Sequence, residues 1–361
     1  MARIVAHLLN QYNHSVPRKI LILLVALGIG FLAYQLARQP SAPRPPLLRQ
    51  VPVMGTILSF TVYPGDERSR LAVDGATAEI ERLNEVFSTY RETSLVSTVN
   101  RSGAVGTTVT EEFLAMLEES RRMWRLTDGR FDITVGPLMK LWGFERRSGR
   151  VPAPDSIARL LPAVGFGKVE VGGETVRLTA PGMALDFGAV VKGYAADRAA
   201  AILKSRGIEN FMIDLGGNIV VAGAPPGRPA WRIGIRDPRN LERIVGVLAL
   251  RDAAVATSGD YERMFEVDGK RYAHIVDPRT GYPVEEMAAV TVIAADGLTA
   301  DLFSTALFLC GPDSALLGEA GLRGALLGRS RAGAIETIEW SADARFTAQM
   351  VSREIEIEPI P

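Results

Sequence analysis

The stretch MALDFGAVVKGYAADRAAAILKSRG, residues 183–207, decides the fold class. Its opening MALDFG reads as a strand. The small and apolar residues that follow predict a helix over 190–206, which Gly207 closes as a C-cap. Downstream, strands dominate: 211–214, 218–222, 231–236, 245–250, 272–276 and 289–294, separated by Gly or Asp-Pro turns. Helices over 299–310 and 313–320 precede the last strands, near Gly324 and Ile335. Upstream, the alternation in ILSFTV predicts one strand over 53–62, and Ile80, Leu83 and Phe87 share one face of an amphipathic helix over 67–87. A second helix is expected over 111–126, and a short helical turn after Ser94. DGRFDITVGPLMKLWGF, residues 128–144, is dense in Gly, Pro and aromatics and reads as an ordered loop. Strands outnumber helices without alternating with them, so the expected class is α+β with mostly antiparallel sheets. No internal repeat is visible.

Ahead of this body, residues 20–37 carry no charge and are flanked by Arg18-Lys19 and Arg38. As a helix the run would reach about 27 Å, near the lower end of a bilayer crossing. A signal peptide is the competing reading, but no A-x-A site follows, so an uncleaved anchor is expected. Arg3, Arg18 and Lys19 before the run are matched by Arg38, Arg44 and Arg49 after it, and the positive-inside rule does not decide orientation. The expected organisation is a basic segment and membrane anchor at 1–39, a Pro-rich extended linker at 40–52, one catalytic domain at 53–345 and a tail at 346–361.

The 361 residues include 41 Lys+Arg against 41 Asp+Glu, and 47% are hydrophobic, so the body can bury a core and carries no basic excess to neutralise phosphates. Nucleic acid is therefore not an expected partner. The only cysteine, Cys310, excludes an intrachain disulfide and a thiolate zinc cage, and it reads as core without a basic neighbour. His7 and His14 lie in the leader, leaving His274 alone in the body and excluding multi-histidine metal sites. Neither a P-loop, a dinucleotide fingerprint nor G-x-S-x-G occurs.

Four signals remain. In LDFGAVVKGYAADRA, an acidic residue precedes small residues that open a helix with Lys192 on its first turn, where backbone N–H groups can face an anion or simply make a tight turn. Asp301 and Thr305 stand at i, i+4 on one helical face behind Thr299 as expected N-cap; two oxygens so placed suit a hard cation, or else are a solvated aspartate and a packed threonine. In RYAHIVDPRTGYP, His274 precedes an Asp-Pro turn and is a candidate general base, or else a satisfied structural histidine of the strand. Met54 and Tyr90 can sandwich an aromatic ring, with core packing as the alternative.

In this order the motifs resemble the ApbE family, the FAD:protein FMN transferases. The matching pieces are MGT at 54–56, FSTYRETS with Tyr90, GRFDITVGPLMKLWGF, LDFGAVVKGYAAD, IDLGGN, VATSGDYER, HIVDPRTGYPV and TADLFSTAL, together spanning nearly the whole body. The resemblance implies a T-fold-like α+β architecture with FAD between lobes and Mg²⁺ on its pyrophosphate. Carried over by motif, Met54, Tyr90, Arg130, Phe131, Asp132, Asp186, Lys192 and Ile275 would contact FAD. The main-chain carbonyl of Ala189 and the side chains of Asp301 and Thr305 would hold Mg²⁺. The implied reaction attaches FMN through a phosphoester to a threonine of an acceptor protein and releases AMP, with His274 or Asp277 as base. The acceptor would carry an Asp-x-x-Ser/Thr-Gly/Ala/Ser-Ala/Ser-Thr type of motif and belong to a membrane redox complex. The enzyme would sit on the inner membrane facing the periplasm, held by its leader, because no N-terminal cysteine is available for a lipid. A Mg²⁺-dependent FAD pyrophosphatase and a membrane-anchored flavin-binding protein without turnover are the rival readings.

Overall fold

The computed structural model describes residues 44–144, 150–319, 321–331, 334–341, 349–350 and 357–359, with residues 23, 26–28, 30 and 31 of the leader. The chain divides into two units, residues 1–44 and 45–361. Most of the run read as an anchor lies outside the described residues. Among the described residues no helix is long and apolar enough to cross a membrane.

The second unit opens with β1 (Leu47–Val53) and β2 (Thr56–Tyr63), an antiparallel hairpin in which Val53 pairs with Thr56. The single strand expected over 53–62 is therefore broken, and residues 47–52 of the expected linker are in a sheet. The cause is Met54-Gly55, with φ of 51° and 73°. Two successive left-handed residues are what a two-residue hairpin turn of the twist-matched kind requires, and Met in that place gives no turn signal in the sequence. Then come α1 (Glu67–Phe87), α2 (Leu95–Ser102), β3 (Thr107–Thr108) and α3 (Glu111–Leu126). Each helix starts at a side-chain cap: Asp66, Ser94 and Thr110 accept from the N–H three residues on.

The stretch read as a loop contains α4 (Gly136–Trp142), where Pro137 sits in the first turn and helps start the helix. A small lobe follows, with α5 (Pro154–Leu160), β4 (Val169–Gly172) and β5 (Thr175–Leu178). MALDFG is not a strand; only an isolated bridge from Ala184 to Val135 forms there. Next are α6 (Val191–Ser205), β6 (Asn210–Leu215), β7 (Asn218–Ala222), β8 (Trp231–Asp237), β9 (Asn240–Leu250), β10 (Ala253–Gly259), β11 (Met264–Val267), β12 (Lys270–Ala273) and β13 (Met287–Ala294). The chain continues with α7 (Gly297–Cys310), α8 (Ser314–Leu317), β14 (Leu322–Arg331), β15 (Ala334–Ser341), β16 (Gln349–Met350) and β17 (Ile357–Pro359).

Among the described residues, nine strands form the central sheet in the order β1-β2-β6-β7-β10-β13-β14-β15-β17, antiparallel except for β15 with β17. The α+β class with mostly antiparallel sheet matches the reading from sequence. Strand alternation sends Val220 to one core and Val221 to another. The first core packs α1, α6 and α7 on one face of the sheet; the second packs Trp231, Ile233, Leu248 and Leu250 of the β8–β9 hairpin on the other.

β10, absent from the sequence reading, is a central strand of that sheet. Its AAVATSG has little β propensity, but Ala253, Ala254, Val255 and Ala256 are all buried, and the small side chains suit a strand covered on both faces. Helix α7 is apolar nearly all round, and Leu302, Phe303, Leu307 and Phe308 are all but fully buried. Each contributes about 1.5–3 kcal/mol, enough together to offset the cost of burying Asp301 and Ser304 on the same helix.

Candidate active site

Strand register brings three chain segments to one end of the central sheet. Leu58 of β2 pairs with Leu215, Asn218 with Ala256, and Gly259 with Ala289, so the β1–β2 turn, the β6–β7 turn and the end of β10 lie together. A cleft of about 1350 Å³ opens there. Met54, Tyr90, Arg130, Phe131, Asp132, Asp186, Ala189, Lys192, His274, Ile275, Asp301 and Thr305 all line it, whereas Asp277 does not.

The chemistry concentrates where the N-terminal turns of α6 and α7 meet. Gly193 and Gly297 touch backbone to backbone: a Cβ on Gly193 would stand 2.1 Å from the Gly297 oxygen and 2.7 Å from Asp301 Cβ. Only glycine allows this approach, and through it the Gly193 N–H donates to Asp301 Oδ2 at 2.8 Å. In a regular helix that N–H would bond the carbonyl four residues back, at Ala189. No N–H among the described residues bonds that carbonyl instead. The backbone N–H that could have faced a bound anion is thus occupied by Asp301, and the carbonyl of Ala189, a residue that lines the cleft, is left out of the helical ladder.

Asp301 is 3% exposed, so it is not the solvated first-turn aspartate that was the alternative. Burial pushes its carboxyl up, and Lys192 opposes that shift. In the amide orientation that satisfies both partners, Asn218 donates to Asp301 Oδ1 at 3.0 Å and accepts from Lys192 Nζ at 2.7 Å. Thr305 Oγ1 lies 3.1 Å from Ser258 Oγ, which lies 2.9 Å from Ser304 Oγ. The N-cap of α7 is Asp296, accepting from Thr299 N at 2.8 Å, and not Thr299.

The resulting donor set is all oxygen: the Asp301 carboxylate, the Thr305 and Ser258 hydroxyls and the Ala189 carbonyl. It fits a hard cation that keeps water and substrate phosphate in its shell. No group of three or more His, Cys, Asp or Glu suited to a metal occurs among the described residues, so the site is not a carboxylate or histidine cluster.

His274 follows β12, and its N–H donates to the Arg263 carbonyl at 3.0 Å. Its Nδ1 is sealed from solvent without a partner. Burial, then Arg263 and Lys192, push its pKa down to about 3, so the imidazole is neutral and only weakly basic in the resting cleft. Arg263 also donates to Tyr90 Oη at 2.8 Å and reaches toward Gly55, closing one wall around the Met54 turn. Asp186 opens α6 through a short turn, accepting from Gly188 N at 2.8 Å, and burial pushes its carboxyl up.

Asp132 spends its carboxylate on the loop itself. Oδ1 accepts from Thr134 N and Oγ1 at 2.8 and 2.7 Å, and Oδ2 from Phe166 N at 2.9 Å. Asp277 pairs with Arg279 at 2.8 Å and organises the turn that follows; despite partial burial, Arg279 holds its carboxyl below the usual carboxylate range. The structure separates it from the cleft that holds His274. Cys310 does have basic neighbours, contrary to expectation: Arg130 and Arg279 lie near the thiol, although burial still pushes its pKa up.

Asn218, Ser258 and Arg263 were not singled out from sequence. Each sits inside a quoted motif, IDLGGN or VATSGDYER, but its meaning depends on partners more than twenty residues away.

The ApbE family model matches residues 54–320. A Haemophilus influenzae FAD:protein FMN transferase is 36% identical over 279 residues, covering 73% of this chain and 80% of that one. A Treponema pallidum protein of the same name is 35% identical over 283 residues, covering 72% and 77%. Among solved structures, the ApbE protein of Thermotoga maritima superposes with a TM-score of 0.74 at 34% identity, over 81% of this chain and 96% of that one. The flavin transferase ApbE of Vibrio cholerae gives 0.74 at 29% identity, over 85% and 100%. With a family model spanning most of the chain and relatives matched along four fifths of their length, this chain belongs to the ApbE family.

Proposed function

We propose that the chain is a Mg²⁺-dependent FAD:protein FMN transferase: it joins the FMN half of FAD to a threonine of an acceptor protein and releases AMP. The relatives' shared name supports the substrate pair. The observation that carries the finer reading is the Ala189 carbonyl, left out of the helical ladder on a residue that lines the same cleft as Asp301, Thr305 and Lys192.

Ala189, Asp301 and Thr305 would hold Mg²⁺, which when bound neutralises pyrophosphate charge and eases departure of AMP. Lys192, fixed by Asn218, supplies a further positive charge beside the phosphates. Met54 on its strained turn and Tyr90, held by Arg263, border the space for the flavin nucleotide. The bond that forms joins the threonine oxygen to the FMN phosphorus; the one that breaks joins that phosphorus to the oxygen leaving with AMP. The hydroxyl proton passes to His274, whose imidazole is neutral in the resting cleft. Burial, then Arg263 and Lys192, depress its basicity, and an anionic pyrophosphate beside the two cations offsets their share of that depression, so the base strengthens when substrate arrives.

We also propose that the leader, through its uncharged run at 20–37, anchors the enzyme in the inner membrane with the catalytic unit in the periplasm. The acceptor on this reading is a subunit of a membrane redox complex. The test of the activity is incubation of the protein with FAD, Mg²⁺ and a carrier protein bearing the threonine motif. Flavin fluorescence on the denatured carrier supports transfer; free FMN with an unlabelled carrier makes the protein a pyrophosphatase, and intact FAD makes it a binder.

A further inference from the structure

Helices α6 and α7 cap each other. The first turn of α7 has three N–H groups without a helical partner, on Gly297, Leu298 and Thr299. Thr299 N is taken by the helix's own Asp296. The other two donate to a carboxylate from α6: Gly297 N to Asp197 Oδ1 at 2.7 Å and Leu298 N to Asp197 Oδ2 at 2.8 Å. In return α7 sends Asp301 to the first turn of α6, where its Oδ2 accepts from Gly193 N. Asp197 stands one helical turn beyond Gly193, on the face where the two backbones touch.

We propose that Asp197 is a positioning residue for the metal-holding group: its two hydrogen bonds set the register of α7 against α6. That register aims Asp301 at Gly193 N and so keeps the Ala189 carbonyl out of the helical ladder. Asp197 does not line the cleft, and it acts only through the helix that carries Asp301 and Thr305. The position is read from the exchange of carboxylates between the two helices, and it rests on the reading of Asp301, Thr305 and Ala189 as Mg²⁺ ligands.

Asp197→Asn keeps the shape but loses the charge and can accept only one of the two N–H bonds. Groups that orient metal ligands typically change metal affinity by about 10- to 100-fold. The measurement is equilibrium FAD binding, followed by flavin fluorescence, as a function of Mg²⁺ in the full-length protein at a temperature where circular dichroism shows it folded. Ile202→Ala is the control. Ile202 lies on the same helix but faces Gly75 of α1, so its loss weakens packing without touching α7.

Asp197→Asn is expected to raise the Mg²⁺ needed for half-saturation by at least about 10-fold, with Ile202→Ala unchanged. If the Asn protein does not fold, Asp197→Glu, which keeps the charge but displaces it by a methylene, is expected to raise it several-fold. An unchanged Mg²⁺ requirement in the Asp197 variant, or an equal rise in Ile202→Ala, overturns the proposal. Mg²⁺-independent FAD binding by the parent protein instead overturns the metal reading beneath it.

Discussion

Gly193→Ala tests the helix contact on which the site depends. By helix propensity alone the change should stabilise α6 by about 1 kcal/mol. The structure argues the opposite. The added Cβ would lie 2.1 Å from the Gly297 oxygen, more than an ångström inside van der Waals contact, and that oxygen belongs to backbone and cannot rotate away. Relieving the overlap by separating the helices costs about 1–3 kcal/mol, as other overpacked contacts do. It also pulls Gly193 N from Asp301 Oδ2, a hydrogen bond to a charged group worth about 1.5–3 kcal/mol. The expected net loss is about 1.5–5 kcal/mol of unfolding free energy, read by urea denaturation followed by circular dichroism. The same variant should lose Mg²⁺-dependent FAD binding even where it is folded. A Gly193→Ala protein as stable as the parent, or more stable, would refute the claimed contact and the register it imposes.

Other expectations follow from individual residues. His274→Ala should slow transfer by about 10²–10⁴-fold while FAD still binds; loss of binding would make the histidine a wall of the pocket rather than its base. Because His274 is pushed from an ordinary value near 6.5 to about 3, the unfolded chain takes up a proton between those pH values that the native chain refuses. Its contribution to stability is therefore fully present above about pH 6.5 and declines below it, so the urea midpoint should fall more steeply from pH 7 to pH 5 in the parent than in His274→Gln. Asp277→Asn should slow transfer by less than about 10-fold, since the residue is spent on Arg279 outside the cleft; a loss as large as that of His274→Ala would return it to the mechanism. Exhaustive EDTA treatment should abolish transfer and added Mg²⁺ should restore it; full activity after chelation would contradict the donor set read at α7.

What could be read in advance was what depends on local periodicity. The 67–87 and 111–126 helices appear at those bounds because their apolar faces and capping residues are local features. Asp301 and Thr305 could be paired because i, i+4 spacing on a helix needs no tertiary information. The features that escaped depend on distant partners. Nothing in AAVATSG marks a central strand until α7 and the neighbouring strands enclose it. Met54 gives no turn signal, yet the hairpin holds it at positive φ. Thr299 looked like the cap of α7 because Asp296, the cap actually used, stands three residues ahead of the helix start expected from sequence. The arginine beside Cys310 came from a chain segment brought there only by folding, and Asp277 is spent on Arg279 two residues on, a local pairing that the sequence reading passed over.

The central claim is that FAD is split here by a protein hydroxyl and not by water. Counting AMP released against flavin covalently bound to the carrier protein, with Mg²⁺ and then with EDTA, tests it most directly. The account predicts equal amounts of AMP and protein-bound flavin with Mg²⁺, and neither with EDTA or in Asp301→Ala. AMP released well in excess of bound flavin, or transfer that survives loss of both metal and Asp301, would contradict it.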